Sequence, residues 1–85
     1  MTHVYKDFKF LKIVANDCAE SLKNGAFIDY YDDENTSIIL RCMLDQRAID
    51  ELAGKIIECA RGMQYQCTPV YSTDNAVIIC KLIFS

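Results

Sequence analysis

The feature that most constrains this chain is an internal echo. Cys18-Ala19 recurs as Cys59-Ala60, Tyr30 as Tyr71 and Asp33 as Asp74, each 41 positions on. Ile38-Ile39 recurs as Ile78-Ile79 and Arg41 as Lys81, each 40 positions on. The two copies, roughly residues 4–44 and 45–85, each read as one amphipathic helix followed by two strands. A chain of 85 residues has no room for two independent cores, so both copies are expected to share one. The expected class is α+β, a single domain of order αββαββ, with a four-stranded antiparallel sheet and two helices on one face.

Helical spacing supports that order. Val4, Phe8, Leu11, Ala15, Cys18 and Leu22 recur at three- and four-residue steps and share one stripe, with Lys9, Lys12, Asn16 and Lys23 opposite. The spacing predicts a helix from Val4 to Lys23, stopped at Asn24-Gly25, where Gly25 can take a left-handed conformation. Phe10 and Ile13 fall outside the stripe, and a strand over Val4 to Val14 is the competing reading. Asp45 is placed to cap a second helix through its carboxylate. Ile49, Leu52, Ala53, Ile56, Cys59, Ala60 and Met63 form that helix's stripe, Ile57 lies outside it, Glu51 and Lys55 stand at pairing distance, and Gly62 is the expected stop.

Each helix is followed by hairpin chemistry. Ala26 to Tyr31 and Ser37 to Leu44 flank the turn residues Asp32-Asp33-Glu34-Asn35; Gln64 to Ser72 and Ala76 to Phe84 flank Thr73-Asp74-Asn75. Pro69 has no amide hydrogen and belongs on an edge strand. By the symmetry of the echo, the second strand of each copy is central and the first lies outside.

Period-two counting on the central strands then yields an excess of apolar surface. Ile38, Leu40, Cys42 and Leu44 share one side, as do Ile78, Cys80, Leu82 and Phe84, and these should meet the helices. The other side should be polar if it met water, yet it carries Ile39, Met43, Val77, Ile79 and Ile83 around Arg41 and Lys81, with Phe27, Tyr31 and Val70 from the outer strands. Asp29, Gln64, Gln66 and Thr68 are its polar members. Such a patch covers several hundred Å², more than soluble monomers usually leave bare. Three explanations compete: a partner-binding or homodimer surface, ordinary core if the helices split across both faces, or a site for lipid or a small apolar ligand. Arg41 and Lys81 at echo-equivalent positions fit an interface, and both can also snorkel past apolar neighbours.

Other chemistry is sparse. The hairpin Asp29, Tyr30, Tyr31, Asp32, Asp33, Glu34 concentrates four carboxylates and two tyrosines. It can present negative charge to a basic surface, or act as a solvated turn that keeps an edge from aggregating. The ligand order and glycine of a calcium loop are missing. The single histidine, His3, lies near the terminus and anchors no nucleophile–base couple; Cys67, beside Pro69, is expected to be the most accessible thiol. The five cysteines are odd in number, without a Cys-x-x-Cys pair, and suit buried hydrophobes in a reducing cytoplasm. Three scattered glycines make no phosphate loop. Neither metal nor cofactor is expected, and the chain is not expected to be an enzyme.

The net charge of −3, with no basic run, disfavours nucleic acid as a partner. The apolar run Ala76 to Phe84, broken by Lys81, is too short to span a bilayer, so no membrane partner is expected. The tandem αββ order resembles that of the homing-endonuclease core, whose saddle-shaped sheet binds DNA. Neither helix here carries that family's motif ending in a catalytic acid, and the basic sheet face is replaced by an apolar one, so the resemblance ends at element order. The expectation is a small acidic interaction module with a protein partner, or a second copy, on the sheet face of Phe27, Ile39, Arg41, Met43, Val77, Ile79, Lys81 and Ile83. The alternative is a phage- or virus-type inhibitor that blocks a basic nucleic-acid-binding site of its target through residues 29–35, acting in the host cytoplasm.

Overall fold

A computed structural model describes residues 6–85. Val4, assigned above to the start of the first helix, and His3, near the terminus, lie outside the described residues. The element order is α1 (Phe8–Leu22), β1 (Phe27–Asp32), β2 (Ser37–Met43), α2 (Gln46–Gly62), β3 (Cys67–Asp74) and β4 (Val77–Phe84). The four strands form one antiparallel sheet in the order β1-β2-β4-β3. The fold is therefore α+β, with the second strand of each hairpin at the centre.

Both helices start on an aspartate. The Asp45 carboxylate accepts from the Ala48 amide at 3.0 Å, as expected, and Asp7 does the same for Phe10 at 3.2 Å. An unpaired first-turn amide gains an acceptor in each case. Asp7 went unread because the apolar stripe runs on past it to Val4. At the other end α1 stops earlier than Gly25: Lys23 already takes the left-handed conformation (φ 45°) and donates its amide to the Ala19 carbonyl. In α2, Gly62 is the last helical residue rather than the residue beyond it, and Met63 forms the cap.

One continuous buried cluster holds the molecule together. Leu11 and Ala15 of α1 and Ile49, Leu52, Ala53, Ile56 and Ala60 of α2 meet Ile38, Leu40 and Cys42 of β2 and Ile78, Cys80, Leu82 and Phe84 of β4. The strand members are the alternate residues the pattern assigned to the core, with one exception. Leu44 lies beyond β2, takes a positive φ of 43°, and is 73% exposed. The strand ends one residue sooner because the chain must turn into the Asp45 cap. Ile57, expected to be exposed, is half-buried against the cluster. Glu51 accepts from the Asn24 side chain at 3.0 Å, so its expected pairing with Lys55 gives way to a tie between the end of α1 and the start of α2.

The edge position of Pro69 is as the missing amide requires, with Pro69 opposite Leu82 on the outer strand β3. β3 starts at Cys67 rather than Gln64, because Gln64 takes a left-handed conformation (φ 70°) that no strand continues through.

Replacing Asp45 by Ala should cost about 1 kcal/mol in urea unfolding, and Leu40→Ala about 2–5 kcal/mol. Burial pushes the Cys67 and Cys80 thiols up to about 11 from an ordinary value of 9.0. The unfolded chain loses these protons first, so the stability tied to the neutral thiols is intact below pH 9 and is lost as the pH rises through about 11. The thermal midpoint should fall across that window, and less steeply in a Cys67→Ala/Cys80→Ala double variant.

Candidate interaction surface on the second sheet face

The strand register lays out the second face as a grid. Four rows cross the sheet from β1 to β3: Asp32–Ser37–Ile83–Thr68, then Tyr30–Ile39–Lys81–Val70, then Phe27–Arg41–Ile79–Ser72, and finally Met43–Val77–Asp74, where β1 has ended. Phe27, Ile39, Arg41, Met43, Val77, Ile79, Lys81 and Ile83 all stand on this face, as the alternation predicts.

A β-bulge changes the outer edge. The β1–β2 register slips between Ile28 and Tyr30, leaving Asp29 as the extra residue. One inserted residue reverses the alternation for everything beyond it. Tyr30 therefore stands opposite Ile39 on the second face, while Tyr31, expected there, stands opposite Ile38 on the buried side. The Tyr31 hydroxyl donates to the Lys12 carbonyl of α1 at 3.1 Å, and burial raises its pKa. The only sequence trace of the slip is Asp29 itself, a carboxylate inside an otherwise aromatic and aliphatic strand.

Polar side chains occupy the middle of this face. Arg41 donates from Nε and Nη2 to the same oxygen of Asp29, at 3.1 and 2.9 Å. Hydrogen bonds from the side chain and backbone of Asn35 hold the Asp32 carboxyl below its ordinary value, and the Lys81 ammonium acts in the same direction. Ile39, hemmed in by Tyr30, Lys81, Ser37 and Arg41 in the grid, is only 3% exposed although it belongs to the second face. The exposed apolar area lies around it instead: Phe27 is 47% exposed, Tyr30 55%, Met43 65% and Val70 47%. Val77, Ile79 and Ile83 are half-buried. The face is thus a sealed centre inside an apolar rim.

The acidic hairpin is tied down by its own chain. Asp33 takes the Lys12 ammonium at 2.8 Å, and that ammonium also lies 5.5 Å from the Phe8 ring centroid and 5.7 Å from that of Tyr31. Asp29 holds Arg41, and Asp32 accepts from the Asn35 side chain at 2.8 Å. Of the four carboxylates, Glu34 has no ion-pair or hydrogen-bond partner among the described residues. A solvent-open groove of about 400 Å³ runs beside this anchor, lined by Lys9, Lys12, Ile13, Asn16, Asp17 and Tyr31. Phe10 and Ile13 are both exposed on the outer side of α1.

The thiols are arranged differently from the expectation. Cys67 faces the buried side opposite Phe84 and is half-buried, whereas Cys59 on α2 is exposed. The alternation that puts Gln66 and Thr68 on the second face puts Cys67 on the core side, so its half-burial follows from its phase in the strand. Among the described residues no group of three metal-ligating side chains converges, and no helix is long and apolar enough to cross a membrane.

The geometry is shared with a solved structure. A crystal structure of the periplasmic domain of XcpY superposes with a TM-score of 0.63 over 93% of this chain and 100% of that one, at 10% sequence identity. At that identity the likeness shows the fold. No family model and no curated protein matches the chain.

The Arg41–Asp29 pair is about one-third exposed on both sides. A double-mutant cycle with Asp29→Asn and Arg41→Met should therefore return a coupling energy below about 1 kcal/mol.

Proposed function

We propose that this chain is a small, acidic, non-enzymatic protein-interaction module that works through the second face of its sheet, with a second copy of itself as the partner. The observation that carries this reading is the rim of Phe27, Tyr30, Met43 and Val70, exposed together around a centre that needs no cover. An apolar ring about a polar-lidded centre gains by docking and remains soluble alone. It is less suited to a lipid or small apolar ligand, which would need a concave apolar cavity.

A duplicated αββ unit with both helices on one face is part of the reading. The central register supports it: Ile38 faces Leu82 as Ile78 faces Cys42, and Leu40 faces Cys80, so a rotation that exchanges β2 and β4 maps each pair onto its echo. Arg41 opposite Ile79 is likewise exchanged with Lys81 opposite Ile39. Arg41 is paired with Asp29, and Lys81 acts on Asp32 through its charge. A face with this internal symmetry suits an isologous contact, in which one patch meets its own copy.

Polarity sets the strength. Obligate interfaces are the more hydrophobic class and resemble a core cut in half, whereas the Arg41–Asp29 pair occupies the middle of this face. The contact is therefore transient rather than obligate. The inhibitor reading through residues 29–35 is weaker, since Lys12 and Arg41 already hold two of its carboxylates and a basic target would have to displace them.

Sedimentation equilibrium over a concentration series should show reversible association, with a Kd on the order of 10 µM or weaker. Met43→Asp and Ile79→Asp should each abolish it. Met43 is mostly exposed, so its variant should also keep the wild-type thermal midpoint, which separates loss of contact from loss of fold. A strict monomer that also binds no apolar dye would overturn the reading.

A further inference from the structure

Leu44 is held in a backbone conformation that its side chain does not suit. It follows β2, precedes the Asp45 cap and takes the left-handed region at φ 43°. The turn fixes that conformation: the Leu44 amide donates to the Ala76 carbonyl at 3.0 Å, just before β4, and α2 begins two residues further on. Among the described residues other than glycine, Lys23, Thr36, Leu44, Gln64 and Asn75 have positive φ, and Leu44 alone of these is apolar. In this region the Cβ of an ordinary residue crowds the following carbonyl oxygen. Glycine avoids that cost, and asparagine tolerates it through local hydrogen bonding.

Burial does not offset the cost in the lone chain. Leu44 is 73% exposed and Met43 65%, the two highest values among the large apolar side chains described. A leucine just ahead of a helix cap often packs on the fourth helical residue. Here that residue, Ile49, is fully buried while Leu44 stays mostly in water, so covering Ile49 does not account for it. The echo position forty residues on behaves differently: Phe84 is 3% exposed and lies edge-on to the Tyr65 ring, with centroids 5.8 Å apart. Strain and apolar exposure therefore coincide at Leu44, and the folded monomer gains from neither. An outlier of that kind points to function.

Continuity says which function. Met43 stands in the last row of the second face, beyond the end of β1, and Leu44 is the next residue along the chain. The open apolar surface thus runs on from the face into the turn. Resting on the reading of that face as a contact between copies, we propose that Leu44 is the anchor of the contact, held out of its own core by the left-handed turn and packed on the apolar rim of a second copy. The rim supplies matching chemistry in Phe27, Tyr30, Met43 and Val70. In a two-fold contact each chain contributes its own leucine, so the residue acts twice.

The test measures stability and association together in the full chain. Leu44→Asn suits the left-handed backbone and removes the apolar side chain. It should raise the thermal midpoint by about 4 °C and weaken association in sedimentation equilibrium by on the order of 30-fold. Leu44→Gly should weaken association equally without lowering the midpoint. Lys23→Asn relieves the same conformation under a polar side chain (φ 45°) and should leave association unchanged. Leu44 variants that associate like the wild type, while Met43→Asp abolishes association, would overturn the anchor and leave the sheet-face reading standing. A lower midpoint in Leu44→Asn would also overturn it, because the leucine would then be serving its own fold. Equal weakening by Lys23→Asn would do the same. A wild type that does not associate at all would overturn both readings.

Discussion

The antiparallel pairing of β2 with β4 is the constraint on which the rest of the molecule depends. Each hairpin is local and closes across a few turn residues, but the β2–β4 ladder joins strands about forty residues apart and fuses the two halves into one sheet. Its register puts Leu40 opposite Cys80, with Ile38, Cys42, Ile78 and Leu82 on the same side. That row belongs to the same buried cluster as Leu52 and Ile56 of α2 and Leu11 of α1. A slip of one residue would exchange Ile38, Leu40 and Cys42 for Ile39, Arg41 and Met43 and bury a guanidinium in the core. The register is therefore held by the cost of burying an unpaired charge as much as by the gain from apolar contact.

The same register decides what the second face can be. Arg41 and Lys81 fall in its two middle rows, and neither can be pushed into an apolar layer without a partner for its charge. Arg41 finds a carboxylate from β1, where Asp29 bulges out to meet it, and the Lys81 ammonium helps to hold the Asp32 carboxyl below its ordinary value. Ile39, flanked in the register by Tyr30 and Lys81, is only 3% exposed. The apolar surface is thereby moved from the centre to the rim, where Phe27, Tyr30, Met43 and Val70 are exposed. The outer strands meet water with Pro69 on one edge and a bulge on the other, both of which discourage further strands from adding.

Most of the strand pattern was legible in the sequence, because period-two alternation and the echo are both carried by the central strands, where burial is strictest. The Asp45 cap and the edge position of Pro69 were legible for equally local reasons. What failed was decided by the chain's surroundings. Asp29 is the bulge's one trace in the sequence, and a single carboxylate does not fix a register, so strict alternation puts Tyr31 on the wrong face. Leu44 looked like a core residue by alternation, but the turn into α2 carries it out to solvent. The seal over Ile39 is a property of four neighbours on three strands and is invisible to any count along one. The anchoring of Asp33 by Lys12 joins residues 21 positions apart and likewise needs the fold.

The central claim is that the rim of the second face is open in the lone chain and covered when chains meet. Hydroxyl-radical footprinting across a concentration series tests it residue by residue. Phe27, Tyr30 and Met43 should label readily at low concentration and lose labelling together as concentration rises, while Phe10 and Ile13 on the outer side of α1 stay equally reactive throughout. Labelling of Phe27, Tyr30 and Met43 that does not change with concentration, or protection that falls on α1 instead, would contradict the account.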